Sequence, residues 1–379
     1  MDLKFRQELH TRPKRVVVKV GSAAITDEQG RIDLSCLQKL VHDLAQLARS
    51  GIEVVLVTSG AISTGRSYLN GSQNSSPGKK SDISYLQACS AVGQPLLMAA
   101  YQKEFEKYEL MTAQVLLTHD DLKNRTRNLN TRNTILKLMS TGIVPILNEN
   151  DSVSFEEITV GDNDQLAAMV TELIDGNVLV LLTGPDGLYD QDPNIPGAKH
   201  LQSLEFHDDL QEIKTITKSA VGRGGMATKL LAVRKLTCLG IPVIIGTYRR
   251  EHPICSVLCQ KVGTFFHPHK LTDKNRRKAW ISTIVKNNTA LIIDEGAYKA
   301  ISKNASLLPI GIRKIQGNFK RGDVVNIKFQ TKIVAVGISE YDSKEITQVL
   351  GKKSSVIRAL LGSCPSEVII HRDNMFIKD

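Results

Sequence analysis

The first 247 residues alternate between short apolar runs and longer segments with helical spacing. Continuous apolar runs are typical of parallel strands buried on both faces of a sheet. The predicted strands are Arg15–Val20, Glu53–Val57, Met111–Leu117, Ile143–Leu147, Val178–Leu182 and Pro242–Ile245, and the predicted helices include Leu34–Ala48, Gln87–Tyr108, Gln165–Ile174 and Ala227–Leu239. Strands that alternate with helices predict an α/β domain with a mostly parallel sheet sandwiched by helices. The Gly-, Ser- and Asn-rich stretch Leu69–Asp82 predicts an exposed loop.

The pattern changes beyond residue 270. A polar stretch, His267–Lys278, is followed by short alternating runs with turn residues between them: Ala290–Ile293, Asp323–Phe329, Ile333–Val336 and Glu367–His371. Such runs indicate a small β-rich domain. We therefore predict an α/β domain over 1–270, a linker over 271–287 and a β-rich domain over 288–379.

Net charge also separates the two predicted domains. Of the total of +10, residues from Arg276 onward hold 18 Lys and Arg against 9 Asp and Glu, a net charge of +9. This excess favours a polyanionic partner such as RNA, while a solvated basic face would give the same composition. The six cysteines show no C-x-x-C spacing, no apolar run approaches the ~20 residues of a membrane helix, and the first residues lack the apolar core of a secretory signal. We expect a cytoplasmic protein.

The densest group of polar side chains lies at Asn148–Gln165, directly after the apolar run Ile143–Leu147. Asn and Asp are common in turns and helix caps, which accounts for one or two of these residues. A set this dense between a buried strand and an apolar helix indicates part of a functional site.

Two lysines lie beside Gly-rich turns. Lys19 is flanked by valines in an apolar strand that ends at Gly21-Ser22, and an unpaired charge there is costly. Lys229 follows the turn Gly222–Ala227, which lacks the preceding strand and the acidic residue about 20 positions on that a dinucleotide site needs. No P-loop motif occurs. Each lysine could be an ordinary surface residue, but backbone amides at a helix start favour an anion. Two lysines, two Gly turns and a carboxylate to hold the lysines suffice for phosphoryl transfer.

Short motifs follow one another in order along the chain. The first domain carries KVGS (Lys19–Ser22), TSGAI (Thr58–Ile62), AVGQ (Ala91–Gln94), NEND (Asn148–Asp151), VGDND (Val160–Asp164) and GGMATK (Gly224–Lys229). The second carries DEGA (Asp294–Ala297), SLLPIGI (Ser306–Ile312), GNFKRGD (Gly317–Asp323) and HRDN (His371–Asn374). The first series resembles the glutamate 5-kinases of the amino acid kinase superfamily, and the second resembles the PUA domain that follows the kinase in many bacterial members. The resemblance covers almost the whole chain and implies the amino acid kinase fold.

The resemblance implies a role for each matching residue. Lys19 and Lys229 would hold the ATP phosphates and stabilise the transferring phosphoryl group, while Asp164 would orient both lysines. The residues implied to bind glutamate are Ser59, Asp151, Asn163 and Asn148, with the α-ammonium group on Asp151. The residues implied to bind ATP are Lys19, Gly21, Ser22, Thr183, Gly184, Arg223, Gly224, Gly225, Met226, Ala227, Thr228 and Lys229. Mg²⁺ would enter with ATP, and no side chain is implied to ligate a metal.

The implied reaction is phosphorylation of the γ-carboxylate of L-glutamate by ATP, the first step of proline biosynthesis. The resemblance further implies feedback inhibition by proline and a homo-oligomer, either a dimer or a tetramer. One alternative is a kinase acting on N-acetylglutamate or aspartate; a carboxylate at Asp151 suits a free ammonium and so disfavours an acetylated substrate. Another is an RNA-binding protein with a vestigial kinase. One departure concerns the nucleotide: the family usually has Thr-Asp where this chain has Thr183-Gly184, and Asp186 is the candidate substitute.

Overall fold

The computed structural model describes residues 15–71, 82–153, 163–205, 225–260, 262–269, 289–303, 305–352 and 368–377. The chain divides into two compact units, Met1–His269 and Lys270–Asp379. Among the described helices, none combines the length and the apolar character needed to cross a membrane.

The first unit is built on a central sheet. Its strands are β1 (Arg15–Val20), β2 (Glu53–Val57), β3 (Thr112–Leu117), β4 (Val144–Glu149), β5 (Val178–Thr183), β6 (Leu188–Tyr189), β7 (His200–Leu201), β8 (Ser203–Leu204), β9 (Val243–Thr247) and β10 (Thr264–Phe266). Eight of the described strands form the sheet in the order β3-β4-β2-β1-β5-β9-β10-β8. The strands from β3 to β9 in that order pair in parallel, and β10 runs antiparallel to β9. The carboxyl ends of the parallel strands therefore share one edge, which we call the carboxyl edge.

Helices cover both faces of this sheet. They are α1 (Ser22–Ile25), α2 (Leu34–Arg49), α3 (Ala61–Gly71), α4 (Ile83–Glu106), α5 (His119–Lys123), α6 (Arg125–Ser140), α7 (Asn163–Leu173), α8 (Gly225–Cys238) and α9 (Pro253–Cys259). Val16, Val18 and Val20 of β1 join an apolar cluster with residues of α2, α4 and α9. Side chains alternate along a strand, so Lys19 faces the opposite side, where α7 and α8 pack on each other.

Helices α3 and α4 cross at two glycines. A Cβ atom on Gly65 would lie 1.8 Å from the carbonyl oxygen of Cys89, and one on Gly93 would lie 1.8 Å from that of Ala61. No side chain fits at such distances, so the two backbones approach this closely only because both residues are glycine. The crossing holds α4 so that Ser90 and Gln94 reach the carboxyl edge.

The second unit has its own sheet and core. Its strands are β11 (Ala290–Ile293), β12 (Ile312–Gln316), β13 (Val324–Phe329), β14 (Lys332–Ile338) and β15 (Met375–Ile377), and its helices are α10 (Glu295–Ser302) and α11 (Ser343–Val349). The strand order is β12-β11-β13-β14-β15, with β11 and β13 parallel and the other pairs antiparallel. Asp294 and Asp342 cap the two helices through their side chains. The predicted β-rich second domain is confirmed.

The alternation of strands and helices predicted for the first unit is confirmed, with corrections at particular segments. Pairing with β3 extends β4 through Asn148 and Glu149, so the polar stretch predicted as a loop begins inside a buried strand. Helix α7 begins at Asn163 rather than Gln165, and α8 begins at Gly225 rather than Ala227. The loop predicted over Leu69–Asp82 is wrong at Leu69–Gly71, which end α3, and residues 72–81 lie outside the described part.

Some predicted and observed strands differ because very short strands carry too little pattern. The strand predicted at Glu367–His371 is wrong in its described part, where Ile370 forms only an isolated bridge to Leu307. The pattern did not predict the described strands β6, β7, β8, β10, β12 and β15, of which β8, β12 and β15 lie at edges of the two main sheets. Two or three residues, as in β8 and β15, cannot show a period of two convincingly.

Candidate active site

The polar side chains singled out in the sequence gather along the carboxyl edge. Lys19 is the penultimate residue of β1, Asn148 is the penultimate residue of β4, and Thr183 ends β5. Ser59 is the second residue after β2, while Asn163 and Asp164 begin α7. Ligand sites of open α/β sheets lie outside the carboxyl ends of the strands, so this edge is the candidate active site.

Two lysines and one carboxylate form the centre of this edge. Nζ of Lys19 lies 2.6 Å from Oδ1 of Asp164, and Nζ of Lys229 lies 2.9 Å from Oδ2 of the same carboxylate. All three residues are buried, with 5%, 3% and 8% of Lys19, Asp164 and Lys229 exposed. One carboxylate thus holds two ammonium groups, and the triad keeps a net positive charge. A buried positive charge of this kind is suited to an anion such as a phosphate.

The pKa of Asp164 reflects this arrangement. Burial alone raises the pKa of the carboxyl group, but the charges of Lys19 and Lys229 and their hydrogen bonds outweigh burial and lower it below its ordinary value of 3.8. The carboxylate is therefore ionised at neutral pH. It can fix the positions of both ammonium groups.

The start of α8 is tied to the start of α7. The hydroxyl of Thr228 donates to Oδ2 of Asp164 at 3.0 Å, and Nε2 of Gln165 donates to the carbonyl oxygen of Thr228 at 2.9 Å. Lys229 also donates to the carbonyl oxygen of Gly225 at 3.2 Å. These bonds set the amino end of α8 against the triad. Its first backbone amides, which lack partners within the helix, lie where an anion would meet the lysines.

A network of polar groups lies beside the triad. Nδ2 of Asn163 is 2.8 Å from the carbonyl oxygen of Thr58, 2.8 Å from Oγ of Ser59 and 2.9 Å from Oδ1 of Asn148. Oδ1 of Asn148 in turn accepts from the amide of Glu149 at 2.9 Å. Asn163 thus contacts both Ser59 and Asn148, the two other side chains of this network that the sequence predicted to share a binding role.

Asp151 lies next to this network and is held by helix α4. The hydroxyl of Ser90 donates to Oδ2 of Asp151 at 3.0 Å. One helical turn further on, Nε2 of Gln94 is 3.4 Å from the carbonyl oxygen of Glu149, and it is Oε1 of Gln94 that accepts from Gln114 at 3.1 Å. Helix α4 therefore fixes the backbone and the carboxylate of the Asn148–Asp151 segment. A carboxylate fixed in this way can receive a cationic group.

The other end of the edge lies around β5 and β9. The hydroxyl of Thr247 donates to the carbonyl oxygen of Gly184 at 2.8 Å. A Cβ atom on Gly184 would lie 3.9 Å from a terminal nitrogen of Arg249. Asp186 is paired with the guanidinium group of Arg250. Its carboxylate is engaged with a cation of the protein and does not reproduce a free acidic group at position 184.

Of the residues predicted to bind ATP, most are described. A Cβ atom on Gly21 would lie 3.8 Å from Nζ of Lys19, so the turn Gly21-Ser22 passes close to the triad. Gly225, Met226, Ala227, Thr228 and Lys229 belong to α8 itself and not to a preceding turn. Arg223 and Gly224 lie outside the described residues.

Several groups that support the site were not singled out in the sequence. They are Ser90, Gln94, Gln165, Thr247 and the buried pair Thr58 and Tyr101, whose hydroxyl oxygens lie 2.8 Å apart. Most of these residues lie in helices, where a polar side chain is ordinarily predicted to be exposed to solvent. Gln94 is the last residue of the motif AVGQ, but no local pattern of the sequence predicts that its side chain is buried.

Comparison with known proteins agrees with this geometry. The model of the amino acid kinase family matches residues 14–247, and that of the PUA domain matches residues 289–361. The chain therefore belongs to the amino acid kinase family. Curated glutamate 5-kinases are similar to it over nearly its whole length. The glutamate 5-kinase from Pelobacter propionicus is 40% identical over 378 residues, which cover 98% of this chain and 100% of the relative. The glutamate 5-kinase from Thermoanaerobacter sp. (strain X514) is 41% identical over 368 residues, which cover 96% of this chain and 97% of the relative. Among solved structures, carbamate kinase from Giardia lamblia bound to AMP-PNP aligns with 68% of this chain and 99% of its own, at 16% identity and a TM-score of 0.49.

Proposed function

We propose that this chain transfers the γ-phosphoryl group of ATP to the γ-carboxylate of L-glutamate, giving ADP and L-glutamyl 5-phosphate, the first step of proline biosynthesis. The observation that carries the proposal is the buried triad of Lys19, Asp164 and Lys229 at the carboxyl edge. Glutamate 5-kinases that align over nearly the whole chain support the choice of substrate.

The reaction requires the protein to hold two anions close together, the γ-carboxylate of glutamate and the phosphates of ATP. The γ-carboxylate of glutamate is already a nucleophile, so no general base is required, and catalysis consists of positioning and charge stabilisation. Lys19 and Lys229 neutralise the phosphoryl oxygens, while Asp164 keeps both ammonium groups at fixed positions. The amides at the start of α8 and the turn Gly21-Ser22 add donors for the phosphates. Among the described residues, no group of His, Cys, Asp and Glu with metal-ligand spacing lies at this edge, so we assign Mg²⁺ to the phosphates of the incoming Mg-ATP.

Glutamate is assigned to the polar network beside the triad. Ser59, Asn148 and Asn163 offer hydroxyl and amide groups to its carboxylates, and Asp151 receives its α-ammonium group. The nucleotide is assigned to Thr183, Gly184 and the segment Arg223–Lys229. Ser90, which donates to Asp151, positions the carboxylate for the ammonium group.

A substrate panel with a matched variant tests this assignment. ADP release is measured with L-glutamate, N-acetylglutamate and L-aspartate, for the wild type and for Asp151→Asn. Loss of a charged hydrogen-bond partner costs about 1.5–3 kcal/mol, so the KM for glutamate should rise roughly 10- to 150-fold. Ser90→Ala should raise the same KM by less and leave kcat unchanged. Turnover with N-acetylglutamate in preference to glutamate, or an unchanged KM in Asp151→Asn, would overturn the assignment.

Three further properties are proposed on the resemblance alone. They are a cytoplasmic location, feedback inhibition by proline, and assembly into a homo-oligomer, a dimer or a tetramer. Light scattering measures the assembly, and a proline titration of glutamate-dependent ADP release measures the inhibition. A single monomer peak or activity unchanged at millimolar proline would remove the corresponding proposal.

A second function, RNA binding, is favoured by the second unit. Its sequence matches the PUA domain and carries nearly all of the basic excess of the chain. We propose weak binding to tRNA that falls steeply with salt, because contacts with phosphates release counterions. Fluorescence anisotropy at 50 and 200 mM NaCl tests this. Absence of binding at the lower salt concentration would remove this function and leave the kinase assignment untouched.

A further inference from the structure

A second cluster of chemically reactive side chains lies away from the carboxyl edge, between α2 and the start of α9. One ring nitrogen each of His42 and His252 and one carboxylate oxygen of Asp43 all lie within 4.8 Å of one another. The two imidazole rings have centroids 5.4 Å apart and are tilted by 41°. We call these three residues the His–Asp–His cluster. Nothing in the proposed kinase reaction uses it.

Asp43 is the fixed point of the cluster. It is completely buried, and its Oδ2 atom accepts from the backbone amides of Ile254 at 2.8 Å and Cys255 at 2.9 Å. These bonds cap the amino end of α9. Its other oxygen, Oδ1, lies 3.1 Å from Nδ1 of His252. Capping accounts for Oδ2 alone, and it gives no reason for two imidazoles to lie close to the same carboxylate.

The ring of His42 is held from outside the cluster. Its Nδ1 atom lies 3.1 Å from the hydroxyl of Tyr108, which also packs edge-on against the ring. Histidines that ligate metals are commonly oriented by a hydrogen bond through the ring nitrogen that does not bind the metal. In the tautomer whose Nδ1–H donates to the hydroxyl oxygen of Tyr108, Nε2 carries the lone pair that a metal requires. The side chain of His252 is half exposed, so it has room to change its rotamer.

We propose that His42, Asp43 and His252 bind one divalent transition-metal ion of the zinc class, with water completing the coordination. Two imidazole nitrogens and one carboxylate oxygen form a donor set that Zn²⁺ prefers. Bonds of about 2.0–2.2 Å require donor atoms roughly 3.3 Å apart. The half-exposed ring of His252 supplies the movement needed. Oδ1 of Asp43 binds the ion, and Oδ2 keeps its two backbone hydrogen bonds to α9.

The surroundings suit a bound cation. Glu251 precedes His252 in the chain, and its carboxylate forms an ion pair with the ammonium group of Lys39 at 2.7 Å. Because Glu251 neutralises the ammonium group of Lys39, this group repels a metal ion bound by the cluster less strongly. Cys255 lies at the rim, with its Sγ atom 3.8 Å from Oε1 of Gln46. Its backbone amide donates to Asp43 at 2.9 Å, and its thiol is not assigned as a ligand.

Titration calorimetry on tag-free, full-length protein stripped with EDTA tests the proposal, with ZnCl₂ as the probe. We expect one site per chain and at least a tenfold loss of affinity in His252→Ala and in His42→Gln. The glutamine of the second variant can still hydrogen-bond to Tyr108, which preserves the packing. His267→Ala is the matched control, because His267 bonds to Ser203 instead and its loss should not change zinc affinity. Circular dichroism verifies that each variant is folded.

Substitution with Co²⁺ gives an independent readout. The cobalt-loaded protein should show visible d–d bands that disappear in His252→Ala, with no thiolate-to-metal charge-transfer band. Absence of stoichiometric zinc binding would overturn the proposal, as would equal affinity in the wild type and both variants. A thiolate band that persists in His42→Gln would also overturn it, because the ion would then be held by cysteine.

Discussion

Replacing Asp164 by Asn removes the carboxylate that contacts both Lys19 and Lys229 while preserving the size of the side chain. At an effective dielectric constant of about 20, each contact is worth roughly 6 kcal/mol of Coulomb attraction, at distances of 2.6 and 2.9 Å. Desolvation offsets much of this, and breaking a buried pair costs about 3–5 kcal/mol. The variant also leaves two ammonium groups facing each other. We therefore expect a loss of about 3–5 kcal/mol in unfolding free energy, and a fall in kcat of about a hundredfold or more, as electrostatic groups of this kind supply.

The loss of stability should depend on pH in a defined direction. The folded-state pKa of Asp164 is lowered below its ordinary value of 3.8, so its contribution is fully present above that pH and is lost as the pH falls through the folded-state pKa. The wild type and Asp164→Asn should therefore differ most at neutral pH, and the difference should shrink below about pH 4, since the ordinary pKa of Asp is about 3.9.

Urea unfolding at pH 7 and pH 3 and steady-state kinetics at pH 7 measure these effects. The matched control is Glu172→Gln, which breaks the ion pair of 2.8 Å between Glu172 and Lys235 on the same two helices. It should lower stability modestly and leave kcat within twofold. The reasoning is refuted if Asp164→Asn loses less than 1 kcal/mol at pH 7, or if its kcat stays within tenfold of the wild type.

Other predictions concern the fold that carries the site. Gly93→Ala should destabilise the protein by about 3 kcal/mol or prevent folding, because its Cβ atom would meet the carbonyl oxygen of Ala61; Gly71→Ala, where the space is open, should have little effect in the same thermal melts. Tyr101→Phe removes the hydroxyl that meets Thr58 in the core and should cost about 0.5–1.5 kcal/mol in urea unfolding, against no change for the exposed Tyr68→Phe. Asp294→Ala removes the cap of α10 and should cost about 1 kcal/mol, and an unchanged melting temperature would contradict the capping role.

The fold was predictable because buried strands and amphipathic helices differ in period. A continuous apolar run such as Val178–Leu182 is typical of a central strand of a parallel sheet, and β5 lies in the middle of the sheet. Strands of two or three residues, such as β8 and β15, were not predictable because tertiary contacts and not local pattern define them. The extension of β4 through Asn148 and Glu149 was missed for the same reason, since pairing with β3 outweighs the polarity of the residues.

The centre of the candidate site was predictable from chemistry at a few positions. A lysine flanked by valines requires a buried counter-charge, and Asp164 is that counter-charge. Lys229 was indicated by its position after a Gly-rich turn, whereas the choice of Asp164 as the carboxylate shared by both lysines came from the resemblance. The supporting groups on α4, Ser90 and Gln94, were not predicted, because their contacts depend on how α3 and α4 cross at Gly65 and Gly93. That crossing is a three-dimensional property which no window of sequence displays.

The central claim is that this edge transfers a phosphoryl group from ATP to the γ-carboxylate of glutamate. The most direct measurement traps the acyl phosphate with hydroxylamine and quantifies γ-glutamyl hydroxamate in the presence of Mg-ATP and L-glutamate, for the wild type and for Lys229→Ala. We predict hydroxamate that depends on both substrates and disappears in the variant, with Glu172→Gln active as the matched control. Equal hydroxamate in Lys229→Ala, or ADP release without any hydroxamate in the wild type, would contradict the account.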